Sequence, residues 1–195
     1  MVALAACALY GQDPKALVER ALERAQIDDD MARHYTYLET SVEQEWKDGK
    51  RTKAETQTYE ILNLYGQPHR RLVARDGKPL DPAEQQKQQQ KLDRTAADRA
   101  KETPAERERR LAKYREERRK SRAFLNQIPN AFDFRMAGET VMGGRAAWIL
   151  EATPRPDFHG RDAREKMLSK FKGRFYIAKS EPALLKLEAE AIDTV

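Results

Sequence analysis

Residues 81–122 read DPAEQQKQQQKLDRTAADRAKETPAERERRLAKYREERRKSR, and this run divides the chain. It is almost pure charge and amide, with nothing that could fill a core. On either side, from Tyr35 to Leu80 and from Phe132 to Val195, short runs alternate apolar and polar residues. A period of two is the mark of half-buried strands. The order is therefore strands, helical insertion, strands: a sheet interrupted by a polar helical insertion.

Three helix starts share one chemistry. Asp13-Pro14, Asp81-Pro82 and Thr103-Pro104 each put a capping side chain before a proline. The cap accepts an orphan N–H, and proline at the first helical position gives up no hydrogen bond. Glu84 and Glu106 follow the second and third caps at capping-box spacing. This predicts helices near 82–101 and 104–127, or one helix kinked at Pro104. Another is expected over 14–32, where Leu17, Val18, Ala21, Leu22, Ala25 and Met31 form a stripe fit to cover a sheet.

In the first strand Leu38, Val42 and Trp46 face one way and Glu39, Glu43 and Glu45 the other. Asp48-Gly49 signals a hairpin turn into a return strand over about 52–65. A short strand over 68–74 ends at Asp76-Gly77. Beyond the insertion, Phe132, Phe134 and Met136 alternate with Asp133 and Arg135, and Gly143-Gly144 turns the chain. Ala146–Leu150 is apolar on both faces, as in a central strand. A short helix near 162–170 and strands over 174–178 and 184–195 follow. The last run ends without a turn or polar tail, so further strands are expected beyond it.

The totals agree with one domain carrying an insertion. Hydrophobic residues make up 39% and charged residues 35%, against roughly 45–50% and 25% in ordinary domains. The core must be concentrated in part of the chain. Residues 82–122 hold 14 Lys+Arg and 8 Asp+Glu, a surplus of six, while the whole chain is +5. The basic character thus belongs to the insertion alone and is weak evidence for a nucleic-acid-binding fold. The single cysteine, Cys7, excludes an intrachain disulfide. It lies in an apolar stretch too short to span a bilayer. Residues 1–12 read as the remnant of a secretory signal peptide, which predicts a periplasmic or cell-envelope location. Leu4-Ala5-Ala6-Cys7 also fits a lipobox that would anchor Cys7 through lipid.

The runs PHRRLVARDGKPL (68–80) and GRAAWILEATP (144–154) form a pattern with the strand Gly173–Ala178 and LLKLEA (184–189). It resembles the outer-membrane lipoprotein-sorting (LolA/LolB-like) superfamily of secreted bacterial proteins. The resemblance covers most of 33–80 and 130–195. It implies an α+β fold with a strongly curved antiparallel sheet, half closed into a β-barrel, and helices plugging the open side. On that view 13–195 is one domain, interrupted by the insertion at 81–128. The resemblance also implies a lipid or lipoprotein acyl chain as ligand.

On such a sheet Leu38, Val42, Trp46, Phe132, Phe134, Met136, Trp148 and Leu150 would line the concave face. An acyl chain needs continuous apolar surface, because it offers nothing to hydrogen-bond. The bland reading makes the same residues core beneath the first helix. Arg107, Arg110, Lys113, Arg118, Arg119 and Arg122 would meet an anionic membrane surface or an acidic partner. Glu106–Arg110 and Glu116–Lys120, four apart, point instead to a solvated helix. His34, His69 and His159 show no metal-ligand spacing, and Asp157, His159 and Asp162 read as loop chemistry. There is no nucleophile elbow, P-loop, dinucleotide fingerprint or paired carboxylate. The expectation is a non-enzymatic envelope protein, with no cofactor or metal, holding an apolar ligand in a curved sheet. The alternative is a structural or regulatory interaction module whose charged insertion docks a protein partner. Nucleic acid is not expected as a partner.

Overall fold

The computed structural model describes residues 12–47 and 50–192. The signal-peptide and Cys7 readings, the Asp48-Gly49 turn and the final residues of the last strand lie outside the described residues. Helix α1 spans Pro14–Ala32 and leads to β1 (Tyr37–Lys47), β2 (Lys50–Leu64), β3 (Gln67–Arg75) and β4 (Lys78–Pro79). The insertion forms α2 (Pro82–Ala100) and α3 (Pro104–Leu125), followed by a single turn, α4 (Ile128–Ala131). Strands β5 (Phe132–Met142) and β6 (Arg145–Pro154) come next. Helix α5 (Ala163–Lys166) and a 3-10 turn over Met167–Lys170 lead to β7 (Phe171–Ala178) and β8 (Leu184–Ala191).

The caps work as their spacing requires. Asp81 Oδ1 accepts from the Glu84 N–H at 2.9 Å. Thr103 and Glu106 close a full box: the Glu106 N–H donates to Thr103 Oγ1 at 3.3 Å and the Thr103 N–H to Glu106 Oε2 at 2.8 Å. A second cap set so soon after Ala100 splits the insertion into two helices.

The expected half-open barrel does not form. The strands make two separate four-stranded antiparallel sheets, ordered β1-β2-β3-β4 and β5-β6-β7-β8, and neither closes on itself. The physical reason lies at Leu80–Pro82. The Asp81 cap stops β4 after two residues and sends the chain into α2, so no ladder joins β4 to β5. A barrel needs one continuous hydrogen-bonded sheet, and the insertion removes that continuity.

The chain divides into two compact units. One is Asp29–Glu117, and the other joins the segment ending at Asp28 to the segment beginning at Arg118. The division falls inside α1 and α3.

The second of these units holds the larger core. In-register pairs put Phe134 with Ala152, Met136 with Leu150, Leu150 with Phe175 and Trp148 with Ile177 on one face of β5–β8. Helix α1 covers that face with Leu17, Val18, Ala21 and Leu22, and Ile128, Ala131 and Leu168 complete the cluster. Val18, Leu150 and Ile177 are fully buried. The Phe134 and Phe175 rings meet edge to face at 5.5 Å. Burying each large side chain contributes about 1.5–3 kcal/mol, so this layer dominates the unit.

The Asp29–Glu117 unit has a thin apolar core of Ile61, Leu72 and Leu80. Polar ties supplement it. Arg71 pairs with Glu60 at 2.6 Å across β2 and β3, and donates to Gln89 of α2 at 2.5 Å.

Candidate interaction surface

The insertion is fastened to sheet β1–β4 at one turn. Tyr65 and Gly66 both have positive φ, 52° and 85°, as a two-residue hairpin between β2 and β3 requires. Asn63 Oδ1 accepts from the Gly66 N–H at 2.9 Å. Two arginines then hold the turn's carbonyls. Arg99, at the end of α2, donates to Leu64 O at 2.6 Å, and Arg110 of α3 donates to Tyr65 O at 3.2 Å. The methyl carbon Leu111 Cδ2 lies 3.2 Å from where a Cβ on Gly66 would stand. Arg110 is fixed by Glu102, whose carboxylate it bridges at 2.6 and 2.8 Å. That contact holds the Glu102 carboxyl below its usual range.

The expected anionic-contact residues fall into two groups along α3. In the Asp29–Glu117 unit, Arg107 and Lys113 are exposed, whereas Arg110 is committed to the turn. The Arg107 guanidinium stands 5.9 Å from the Tyr65 ring centre. In the other unit, Arg119 is exposed and Arg118 and Arg122 are half-buried, with Arg122 reaching Gln26 O at 3.5 Å.

The eight expected apolar-face residues are divided between the two sheets. Phe132 and Leu150 are buried, and Phe134, Met136 and Trp148 pack against the same cluster under α1. Lys179 Nζ caps the Trp148 ring at 3.8 Å. Leu38 and Val42 lie on β1, in the other unit and the other sheet. The Trp46 side chain lies outside the described residues. Sequence reasoning saw the apolar stripe of β1 but not its fate, because alternation does not say whether a second layer covers it.

That stripe is open. Leu38 is 68% exposed and Val42 58% exposed. Both lie on an edge strand, since among the described residues β1 pairs with β2 alone. Thr40 stands between them and meets Thr58 at 3.3 Å. On the reverse face Glu39 pairs with Arg70 at 2.6 Å, and Glu43 stands directly opposite Glu55.

The outer face of β5–β8 is a charge ladder. Arg174 meets Glu151 at 3.2 Å, Arg135 joins the same carboxylate, and Lys172 meets Glu190 at 3.3 Å. A depression of ≈ 500 Å³ lies along these rows, with Gly173 among its lining residues. The loop groups are spent locally: Arg155 takes Asp157 at 2.9 Å, and Asp162 caps α5 by accepting from the Glu165 N–H at 2.8 Å. Among the described residues no three His, Cys, Asp or Glu side chains gather at metal-binding distance. Nor is any helix among them long and apolar enough to cross a membrane.

No family profile matches the chain, and no curated protein matches it. Among solved structures, a crystal structure of MucB in complex with MucA(peri) is similar to it at 14% identity and a TM-score of 0.32. That alignment covers 93% of this chain and 57% of the other, so the chain spans little more than half the length of that protein. A likeness of this degree transfers neither fold nor function. The fold and surface in hand define a class: an α+β protein of two open antiparallel sheets, one of them carrying a charged two-helix insertion.

Proposed function

We propose that the chain is a protein-interaction module of the bacterial cell envelope, which docks a protein partner and performs no bond chemistry. The observation that carries this reading is the filled face of β5–β8. The surface that would take an acyl chain is occupied by the protein's own helix, with Val18 and Leu150 fully buried in the contact. A ligand there would first have to displace α1 and expose its buried stripe. The uncovered surface lies elsewhere, on β1 and on the outward face of the insertion, where Arg107 and Lys113 are exposed. Apolar side chains flanked by charge suit a protein partner: burial supplies affinity, and charge supplies orientation and association rate. The envelope location rests on the reading of residues 1–12 as an export signal.

The test is photo-crosslinking in the native host, with a photoreactive amino acid placed at Val42 or at Lys113 of the full chain. The expected result is one discrete protein adduct, identified by mass spectrometry. Adducts with lipid alone, or none at either position, would overturn the reading.

A further inference from the structure

Helix α2 is held on β3 without a buried anchor. None of its residues is fully buried, and Glu84, Gln88, Leu92, Thr95, Ala96 and Arg99 form its half-buried side. Polar contacts hold it. Gln85 Nε2 donates to Leu80 O at 2.6 Å, and Gln89 accepts from Arg71 at 2.5 Å. Arg99 closes the far end, donating to Leu64 O at 2.6 Å and to Gln67 O at 3.4 Å. Segments with little buried apolar surface open at a lower free energy than the whole fold. A helix of this length is marginal in water by itself, so detachment would also melt it.

Two of these ties are made by cations, and His69 stands between them. Gln67, His69 and Arg71 alternate onto one face of β3, where Arg99 also reaches the Gln67 side chain at 3.4 Å. His69 is half-buried. Burial, then Arg99 and Arg71, hold its pKa below 6.5. The acids nearby are already answered. Glu60, diagonal to His69 on β2, is closed by Arg71 at 2.6 Å. Glu102, beside Arg99, is bridged by Arg110, which itself reaches the Gln67 side chain at 3.3 Å. Asp93 and Asp98 are exposed, off the half-buried side of α2. Glu84 lies at the opposite end of the helix, about 22 Å along its axis.

A proton on His69 therefore adds a third positive charge to the two that fasten α2. We propose that α2 is an acid-released clasp: protonation of His69 loosens Arg99 from the β2–β3 turn and frees the first helix of the insertion from β3, while β5–β8 stay folded. The form that binds the proton more tightly gains as pH falls, and that form is the released one. The device does not depend on which partner the chain binds. It gives the Asp29–Glu117 unit a closed form near neutral pH and an open form in acid.

The experiment follows amide exchange of the full chain from about pH 7.5 to about pH 5, corrected for the intrinsic pH dependence of exchange. Protection over Pro82–Ala100 should fall about threefold or more as the pH drops, while protection over Arg145–Pro154 holds. His69→Gln stays neutral and should keep α2 protected at the lower pH. His69→Lys carries the charge already and should show the loosened helix at the higher pH. Protection over Arg145–Pro154 reports in each variant that the fold is intact. Wild-type α2 that stays protected in acid would overturn the proposal, as would an acid-dependent loss that persists in His69→Gln. So would a loss shared equally by Arg145–Pro154, which is global unfolding, or full protection of α2 in His69→Lys.

Discussion

Arg110 and Glu102 face each other across the break between α2 and α3, joined by two hydrogen bonds of 2.6 and 2.8 Å. The same guanidinium reaches Tyr65 O at 3.2 Å, so one side chain ties the helical break to the β2–β3 turn. The insertion as far as Glu117 is thereby tied into the Asp29–Glu117 unit, although its sequence reads as solvated charge.

Removing that tie should loosen the turn. Arg110→Ala is expected to raise amide exchange at Tyr65–Gln67 about fivefold, the equivalent of one hydrogen bond near 1 kcal/mol. Arg110→Lys keeps the charge but not the planar fork, and should recover only part of the protection. The Glu102 carboxyl is depressed chiefly by its hydrogen bond to Arg110. Its contribution is complete above the ordinary carboxylate range and is lost as pH falls below it. The Arg110→Ala protein should lack that share of acid sensitivity in a pH series of melting curves.

Gly66 and Gly77 make a matched pair. Both have positive φ, 85° and 73°, but a Cβ on Gly66 would stand 3.2 Å from Leu111 Cδ2, whereas a Cβ on Gly77 meets nothing within 4 Å. Either alanine substitution should cost about 1–2 kcal/mol of backbone strain. Gly66→Ala should cost more in chemical denaturation, and Leu111→Ala should erase the difference. Equal costs would mean that α3 does not rest on the turn.

The core reading of β5–β8 separates cleanly from a site reading. Leu150→Ala should destabilise the protein by about 2–5 kcal/mol, because it empties a fully buried position. Val42→Ala, on the open edge, should stay within about 0.5 kcal/mol. Urea titration measures both.

His69 supplies a pH signature. Burial, with Arg99 and then Arg71 nearby, pushes its pKa below the usual 6.5. The folded state thus binds the proton more weakly than the unfolded state. Stability from this group is present above pH 6.5 and declines as pH falls from there toward the depressed value. His69→Gln should flatten the melting temperature over that interval. An unchanged slope would place the pH dependence elsewhere.

Much of the fold was legible in the sequence where the physics is local. The Asp-Pro and Thr-Pro caps located α1, α2 and α3, because capping involves only a few neighbouring residues. Gly143-Gly144 and Asp76-Gly77 marked their turns through the positive φ that glycine tolerates. Pairing between distant strands was not legible. Nothing in the alternation of Tyr35–Leu80 or Phe132–Val195 says that the two sets fail to join into one sheet. For the same reason Leu38 and Leu150 looked alike in sequence, though one is 68% exposed and the other buried. Arg99 and Arg110 read as two cations among many, because their partners are backbone carbonyls of a remote turn.

The central claim is that the apolar face of β5–β8 is spent on the protein's own core, leaving the chain to bind protein and not lipid. Native mass spectrometry of the full chain, before and after organic extraction, tests this most directly. The account predicts one mass that extraction does not change, with no gain when phospholipid or lipopeptide is added. A co-purifying lipid mass, bound one to one and removed by extraction, would contradict it.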